Sequence, residues 1–412
     1  MCMKNEKPFL NVTSEIGNLK AVLLHRPGHE LEKLTPDLLH ELLFDDIPWL
    51  KVMQDEHDEF ADLLRSHGTK VFYVQELLSQ VLENNDVKDS LINDLLTSSQ
   101  IQNHRLWETL YSYINNKTAA EIAEIAIAGV NKKDICDQYE DDSLWDYVNK
   151  EYPLYITPVP NLYFTRDPAA VIGNGISINS MQTKTRRREP KLIKYIYENH
   201  AHFKKDLSSL WFDHSIPYNM EGGDMLVLSK EVVAIGCSER TSATAIETIT
   251  RTLFEKNENI EEVLAIQIPP IRAFMHLDTV LTMVDYDKFT IYPGIQDKVN
   301  VYKLTRGVSG GIKVTPERDL LTTLKNSLKI PAVQLVHSGG GDAISAAREQ
   351  WNDSTNTLAI APGVVVTYSR NEISNATLRK HGIEVLEING SELVRGRGGP
   401  RCMSCPLERD EI

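Results

Sequence analysis

Apolar positions along the chain recur as short strands grouped around one amphipathic helix. Each unit reads as an apolar strand, a turn, a second strand, a helix opening near a Ser, Thr, Asn or Asp cap, and a third strand. In one copy DMLVLSKEVVAIG turns at Ser229 and Lys230, a helix spans SERTSATAIETITRTLFEK, and EEVLAIQI closes the unit. In another, TNTLAIAPGVVVTYS turns at Pro362 and Gly363, NEISNATLRKHG is helical with Gly382 as its stop signal, and IEVLEI closes. Three looser copies follow the same rule: KAVLLHRP with a helix near 51–67 and strand KVFYVQEL; AAVIGNGISI with helix PKLIKYIYENHAHF; and TVLTMVDYDKFTIYP with helix TPERDLLTTLKNSLK and strand AVQLV. None of these units is large enough to bury its own apolar face, so the pattern predicts an α/β fold in which five units close on one another as a ring of blades. From 77 to 152 the pattern is purely helical, as in LLSQVLENN, DSLINDLLTS, RLWETLYSYI, TAAEIAEIAIAG and SLWDYVNKEY. The expectation is a helical subdomain at 77–152 inserted into a body made of 1–76 and 153–412.

Charge narrows the partners. The 412 residues carry 44 Lys and Arg against 58 Asp and Glu, a formal charge of -14, and the short basic run Arg186, Arg187, Arg188 is not a nucleic-acid patch. That balance argues against nucleic acid and anionic membranes and mildly favours a cationic small molecule, although it serves equally as a solubilising surface. The N-terminal stretch MCMKNEKPFL lacks the apolar segment of a signal peptide, and no apolar run is long enough to span a bilayer. Cys2, Cys136, Cys237, Cys402 and Cys405 are few, odd in number and unevenly spaced, as in a reducing compartment. The expected location is the cytoplasm.

After the strands of the units come polar clusters, NLYFTRD, NMEGGD, MHLD, HSGGGD and RGRGGPRCMSC, which a closed ring would gather at one mouth. Cys402 follows a Gly-rich segment beside Arg397 and Arg401, whose positive field predicts a thiolate nucleophile; the alternative is a buried structural cysteine. With Cys405 it also forms a Cys-x-x-Cys, open to a redox pair or half of a zinc site. His276 and Asp278, one residue apart, share a face of an extended chain, fit either for proton transfer and cation binding or for a structural hydrogen bond. Glu221, ahead of two glycines and Asp224, and Asp167, ahead of Pro168, are turn residues when read alone. Two carboxylates in one pocket suit a planar, delocalised cation, and a guanidinium is the natural match. Free arginine has a carboxylate at its other end, for which Arg186 and Arg240 form a candidate clamp assisted by Asn161. No GxxxxGK[ST] or HExxH is present, and SGGGDA lacks dinucleotide spacing, so neither cofactor nor metal is expected and SGGGDA reads as a tight turn.

In this order, NLYFTRDP, EGGD, HLDTV and RGRGGPRCMSCP resemble the arginine deiminase family of the guanidino-group-modifying pentein superfamily, over essentially the whole chain. The resemblance implies a five-bladed α/β propeller with a helical insertion, and hydrolysis of L-arginine to citrulline and ammonia as the first step of arginine catabolism. It implies Cys402 as nucleophile, His276 as general acid and base, Asp167 and Asp278 as guanidinium holders, and Glu221 as the partner of His276. It also places Asn161, Arg186 and Arg240 at the amino-acid end, Asp224 among the substrate-contacting groups, Phe164 in the pocket wall and Arg397 on a closing loop, with Leu42 to Asp46 a second loop over the site. Arg401 stands where other members place His, and Cys405 where others place Met, which opens the possibility of a strained disulfide to Cys402. A homo-oligomer is implied as well. Competing readings are an agmatine deiminase or an amidinotransferase, an arginine-binding protein without turnover, and a redox protein.

Overall fold

The computed structural model describes residues 9–140, 143–203 and 208–412, so Cys2 and most of the charged N-terminal stretch lie outside the described residues. The two plain units form as the pattern predicts. One comprises Met225–Val227, Val232–Cys237, helix Ala243–Lys256 and Glu262–Gln267. The other comprises Leu358–Ala361, Val364–Tyr368, helix Glu372–Lys380 and Glu384–Ile388. In each, the hairpin strands are antiparallel and the helix returns the chain so that the third strand lies parallel to the second. Ser242 opens the first of these helices by accepting the Ala245 N–H, as a cap should.

The looser copies hold with changes. Ala169–Ile172 and Gly175–Ile178 pair with Ser209–Phe212, and Leu281–Met283 and Lys288–Ile291 with Gln334–His337. Strand Leu19–Leu24 runs parallel to Lys70–Tyr73, but its antiparallel neighbour is Cys405–Arg409, from the opposite part of the sequence. That pairing fixes the chain just after Cys402.

Several boundaries differ from the pattern's prediction. The helix read over TPERDLLTTLKNSLK covers only Leu320–Ser327, because Ile312–Pro316 pairs with Asn300–Arg306 and widens one sheet to five strands. The alternation in NVYKLTR and IKVTP, split by Gly310 and Gly311, is the signal for that hairpin. Strand KVFYVQEL ends at Tyr73, where helix Val74–Val81 starts. Segment 77–152 contains helices Asn85–Ser98, His104–Asn115, Ala119–Ala128 and Leu144–Val148, but it is not purely helical: Val130–Asn131 pairs with Leu154–Ile156. Its apolar residues Leu91, Leu95, Ile122 and Ala126 share one buried cluster with Val171, Ile193 and Ile246 of the sheet-bearing body. Among the described residues no helix is long and apolar enough to cross a membrane.

Candidate active site

The polar clusters lie on or just after short turns between elements, Pro160–Tyr163, Gly222–Asp224, Leu277–Thr279, Ser338–Gly341 with left-handed Gly339 and Gly340, and Leu393–Gly396; Asp167 and Cys402 follow the first and the last of these. His276 and Asp278 are therefore not on one face of an extended strand: His276 is extended and opens the turn that carries Asp278. The glycines of EGGD have a steric role, since a Cβ on Gly223 would sit 2.7 Å from Nδ1 of His276 and 3.0 Å from Oδ1 of Asp167.

A small cavity is lined by Asn161, Phe164, Asp167, Arg186, Arg240, His276, Arg397 and Cys402, together with Leu43, Met275 and Gly396. Its solvent-accessible space is about 20 Å³, room for one water and not for an amino acid. Two loops close it. Asp45 N–H donates to the Arg395 carbonyl, Arg397 lies 3.6 Å from Asp45, and Arg395 pairs with Asp46. The Arg397 guanidinium also stacks 3.6 Å over the Trp351 ring. Leu43 and Arg397 both have left-handed backbones, φ 65 and φ 66, which cost side-chain-bearing residues energy and mark both loops as held by their contacts.

His276 Nε2 lies 2.8 Å from Glu221 Oε2, and Nδ1 lies 3.7 Å from Asp167 Oδ1. Burial opposes a charge on the ring, but Asp167 and the Glu221 hydrogen bond outweigh it and push the imidazole pKa up to about 9. Burial would raise Glu221 as well, yet Arg240, 3.5 Å away, and His276 hold it near 2. Asp224 is fully buried behind this pair, accepting from the Ser238 hydroxyl and the Leu277 N–H, and burial pushes it up to about 7. It braces the His276 turn and is not among the cavity-lining residues.

The two aspartates are held alike. Asp167 Oδ2 accepts from Arg186 Nη1 at 2.7 Å, and Asp278 Oδ2 accepts from Arg401 Nη1 at 2.7 Å. Among the described residues Oδ1 of each is buried without a hydrogen-bond partner. Arg186 is engaged throughout, with Glu189 gripping Nε and Nη2 while Nη2 also donates to the Asn161 carbonyl. Arg240 is less committed, its Nε having no hydrogen-bond partner among the described residues. The Asn161 amide donates to the Leu42 carbonyl, tying one lid loop to the site, and Phe164 packs 3.9 Å from Tyr163.

Cys402 is buried, its N–H donating to Asn356 Oδ1 and its Sγ 3.8 Å from Asp278 Oδ2. The expectation of a thiolate stabilised by Arg397 and Arg401 does not hold in this state. Burial and the carboxylates of Asp278, Asp167 and Asp353 push the thiol well above its ordinary value, and Arg401 offsets only part of this. Cys405 points elsewhere: its Sγ donates to the Ala169 carbonyl and packs in a different apolar cluster, and both cysteines are free thiols. Asp167, Glu221 and His276 place one ligand atom each within 4.8 Å of one another, close enough to hold a cation, but the neighbouring Arg186 and Arg240 already counter their charge. Sequence reasoning missed Glu15, Glu189, Trp351, Asp353 and Asn356. Of these only Glu189, three residues after Arg186 on a helical start, left a local signal.

Solved structures share this fold. An amidinotransferase from Microseira wollei in the saxitoxin biosynthetic pathway aligns with a TM-score of 0.55 at 14% identity, over 98% of each chain. A dimethylarginine dimethylaminohydrolase from Pseudomonas aeruginosa, complexed with citrulline, aligns with a TM-score of 0.53 at 13% identity, over 94% of this chain and 99% of its own. The fold is thus shared with these enzymes, and here it sets Cys402, His276 and Asp167 around one cavity, with Asp278 against Cys402 just behind the wall. Sequence narrows this further. The profile described as arginine deiminase matches residues 40–409. The arginine deiminase of Bacillus cytotoxicus is 49% identical over 98% of this chain and 99% of its own, and arginine deiminase 1 of Staphylococcus epidermidis is 49% identical over the same shares. The chain belongs to the arginine deiminase family.

Proposed function

We propose that the protein hydrolyses L-arginine to L-citrulline and ammonia through a covalent intermediate on Cys402. One observation carries this reading: among the described residues Asp167 and Asp278 each keep one oxygen without a hydrogen bond, Asp167 in the wall of the cavity that also holds Cys402 and His276, and Asp278 behind that wall with its other oxygen 3.8 Å from Cys402 Sγ. Two free carboxylate oxygens match the forked donors of a guanidinium. Arg240 and Asn161 take the substrate's carboxylate end, Phe164 lines the alkyl chain, and Arg186 acts mainly through Asp167. Arg397 closes the lid over bound substrate.

The arriving guanidinium neutralises the carboxylates that raise the Cys402 thiol, so the thiol gives up its proton to solvent as substrate binds. The thiolate adds to the guanidinium carbon, giving a neutral tetrahedral adduct. Protonated His276 hands its proton to the departing nitrogen, the C–N bond breaks, and ammonia leaves a thiouronium on Cys402. Neutral His276 then takes a proton from water, hydroxide adds to the same carbon, and the C–S bond breaks to release citrulline, the hydroxyl proton returning to the thiol. His276 ends protonated, as it began. Glu221 balances that charge throughout.

The five sheets of three or more strands, and the pairing of Leu19–Leu24 with Cys405–Arg409, support a five-bladed propeller built from 1–76 and 153–412, with 77–152 inserted. The free thiols and acidic charge fit a cytoplasmic enzyme, and the exposed apolar side chains Leu144, Tyr147 and Val148 on the insertion fit a homo-oligomer contact. The test is release of citrulline and ammonia from L-arginine by metal-free protein beside Cys402→Ala. Equimolar release by the parent and none by the variant is the expected result. Turnover of agmatine, or of an added amine acceptor, in place of arginine would overturn the substrate assignment.

A further inference from the structure

The matched grip on the two aspartates is built from different material. Glu189, which holds Arg186, is three residues away in sequence; Glu15, which holds Arg401, is 386 residues away. Arg401 Nε donates to Glu15 Oε2 at 3.1 Å and Nη2 to Oε1 at 3.1 Å, while Nη2 also reaches the Met225 carbonyl at 2.7 Å. Glu15 Oε1 further accepts the Val227 N–H at 3.0 Å, so the carboxylate is itself fixed to a sheet strand. Both side chains are buried, at 8% and 1% exposure, and this is an internal contact, not a surface pair. Burial favours a neutral Glu15, but Arg401, Arg166 and Arg409 hold its pKa near 2.

A guanidinium is planar and rigid, so anchoring Nε and Nη2 fixes where Nη1 points. Nη1 points at Oδ2 of Asp278, leaving Oδ1 free. Without its anchor, Arg401 is free to turn and engage both oxygens of Asp278, the preferred geometry of an arginine with a carboxylate. The protein's own guanidinium would then occupy the place meant for the substrate's.

We propose that Glu15 is a positioning residue of the arginine site: by fixing the plane of Arg401 it confines that arginine to one oxygen of Asp278 and keeps the other for the substrate. The proposal rests on the reading of Asp278 as a guanidinium holder.

Calorimetric binding to Cys402→Ala protein, which binds without turnover, tests it with two ligands. L-Arginine presents a guanidinium to Asp278, whereas L-citrulline has the same amino-acid end and a neutral ureido group. Adding Glu15→Gln is expected to weaken L-arginine by about 10- to 100-fold, the loss of one charge-assisted contact, with L-citrulline nearly unchanged. Arg401→Lys, which keeps the charge and loses the fork, gives the same selective loss and serves if Glu15→Gln does not fold. Equal weakening of both ligands, or of neither, overturns the proposal. If Cys402→Ala protein without further change fails to bind L-arginine, the proposed function falls with it, whereas intact arginine binding with unselective loss removes only the role of Glu15.

Discussion

Glu221→Gln isolates what keeps the proton on His276. Glutamine retains the length of glutamate and an acceptor for the 2.8 Å contact to Nε2, so the hydrogen bond survives while the charge is lost. The rise from 6.5 to about 9 amounts to roughly 3 kcal/mol in favour of the imidazolium, achieved against burial by Asp167 first and then by Glu221. A hydrogen bond to a charged group is worth roughly 1.5–3 kcal/mol against roughly 0.5–1.5 kcal/mol for a neutral one, so losing the charge alone should lower the His276 pKa by about one unit. The sign for stability follows. The folded pKa lies above the ordinary 6.5, so the contribution of His276 is complete below pH 6.5 and is lost as pH rises through about 9; in Glu221→Gln the contribution is smaller and its loss is complete at a lower pH. Titration of ¹⁵N-histidine-labelled protein by NMR reads the midpoint directly, with the His276 signal assigned by its disappearance in His276→Asn. A midpoint unmoved from the parent's would refute the reasoning, because it would mean that the Glu221 charge does not hold the proton.

Asp167→Ala and Asp278→Ala should each cut kcat by about 100-fold or more and not merely raise KM; near-normal kcat in steady-state assays of both would remove the guanidinium holders from the mechanism. Cys405→Ser should retain the greater part of kcat, since this thiol donates to Ala169 away from the cavity, whereas loss of activity in that variant would favour redox chemistry. His57 is buried with neither ring nitrogen hydrogen-bonded among the described residues, and burial pushes its pKa down to about 3. Its neutral form is required by the fold, so the stability it permits is present above pH 6.5 and is lost as pH falls toward 3; thermal melts of His57→Phe should lose less stability between pH 7 and pH 5 than the parent, and parallel curves would refute this.

The sequence made legible what depends on local pattern. The strand and helix periods recovered the five units, and the polar clusters after their strands carried the cavity's Cys402, His276 and Asp167. The hairpin Asn300–Arg306 and Ile312–Pro316 was hidden because its second strand runs into a helix-like stretch, and helix Ala343–Gln350 because it is short and weakly apolar. Site electrostatics were not legible. Two arginines beside Cys402 in sequence suggested a positive field, but Arg401 spends its charge on Glu15 and Asp278, while Asp353, in a left-handed backbone and pushed up by burial to about 7, adds to the carboxylates that raise the thiol. Glu15 could not be found from one sequence, since nothing in TSEIGN distinguishes it from a surface glutamate.

The joining of Leu19–Leu24 to Cys405–Arg409 also bears on how the molecule is made. Contacts this distant in sequence form late, because closing so long a loop costs entropy before any contact repays it. Synthesis runs from the N-terminus, so Glu15 emerges early and waits for Arg401 and Cys402, which come hundreds of residues later. A chain interrupted before that point would fold most of its sheets around an unfinished pocket and leave one edge of Leu19–Leu24 open, a surface available for pairing with another chain. The cavity's thiol-bearing wall and a closed first sheet are therefore completed by the same final segment.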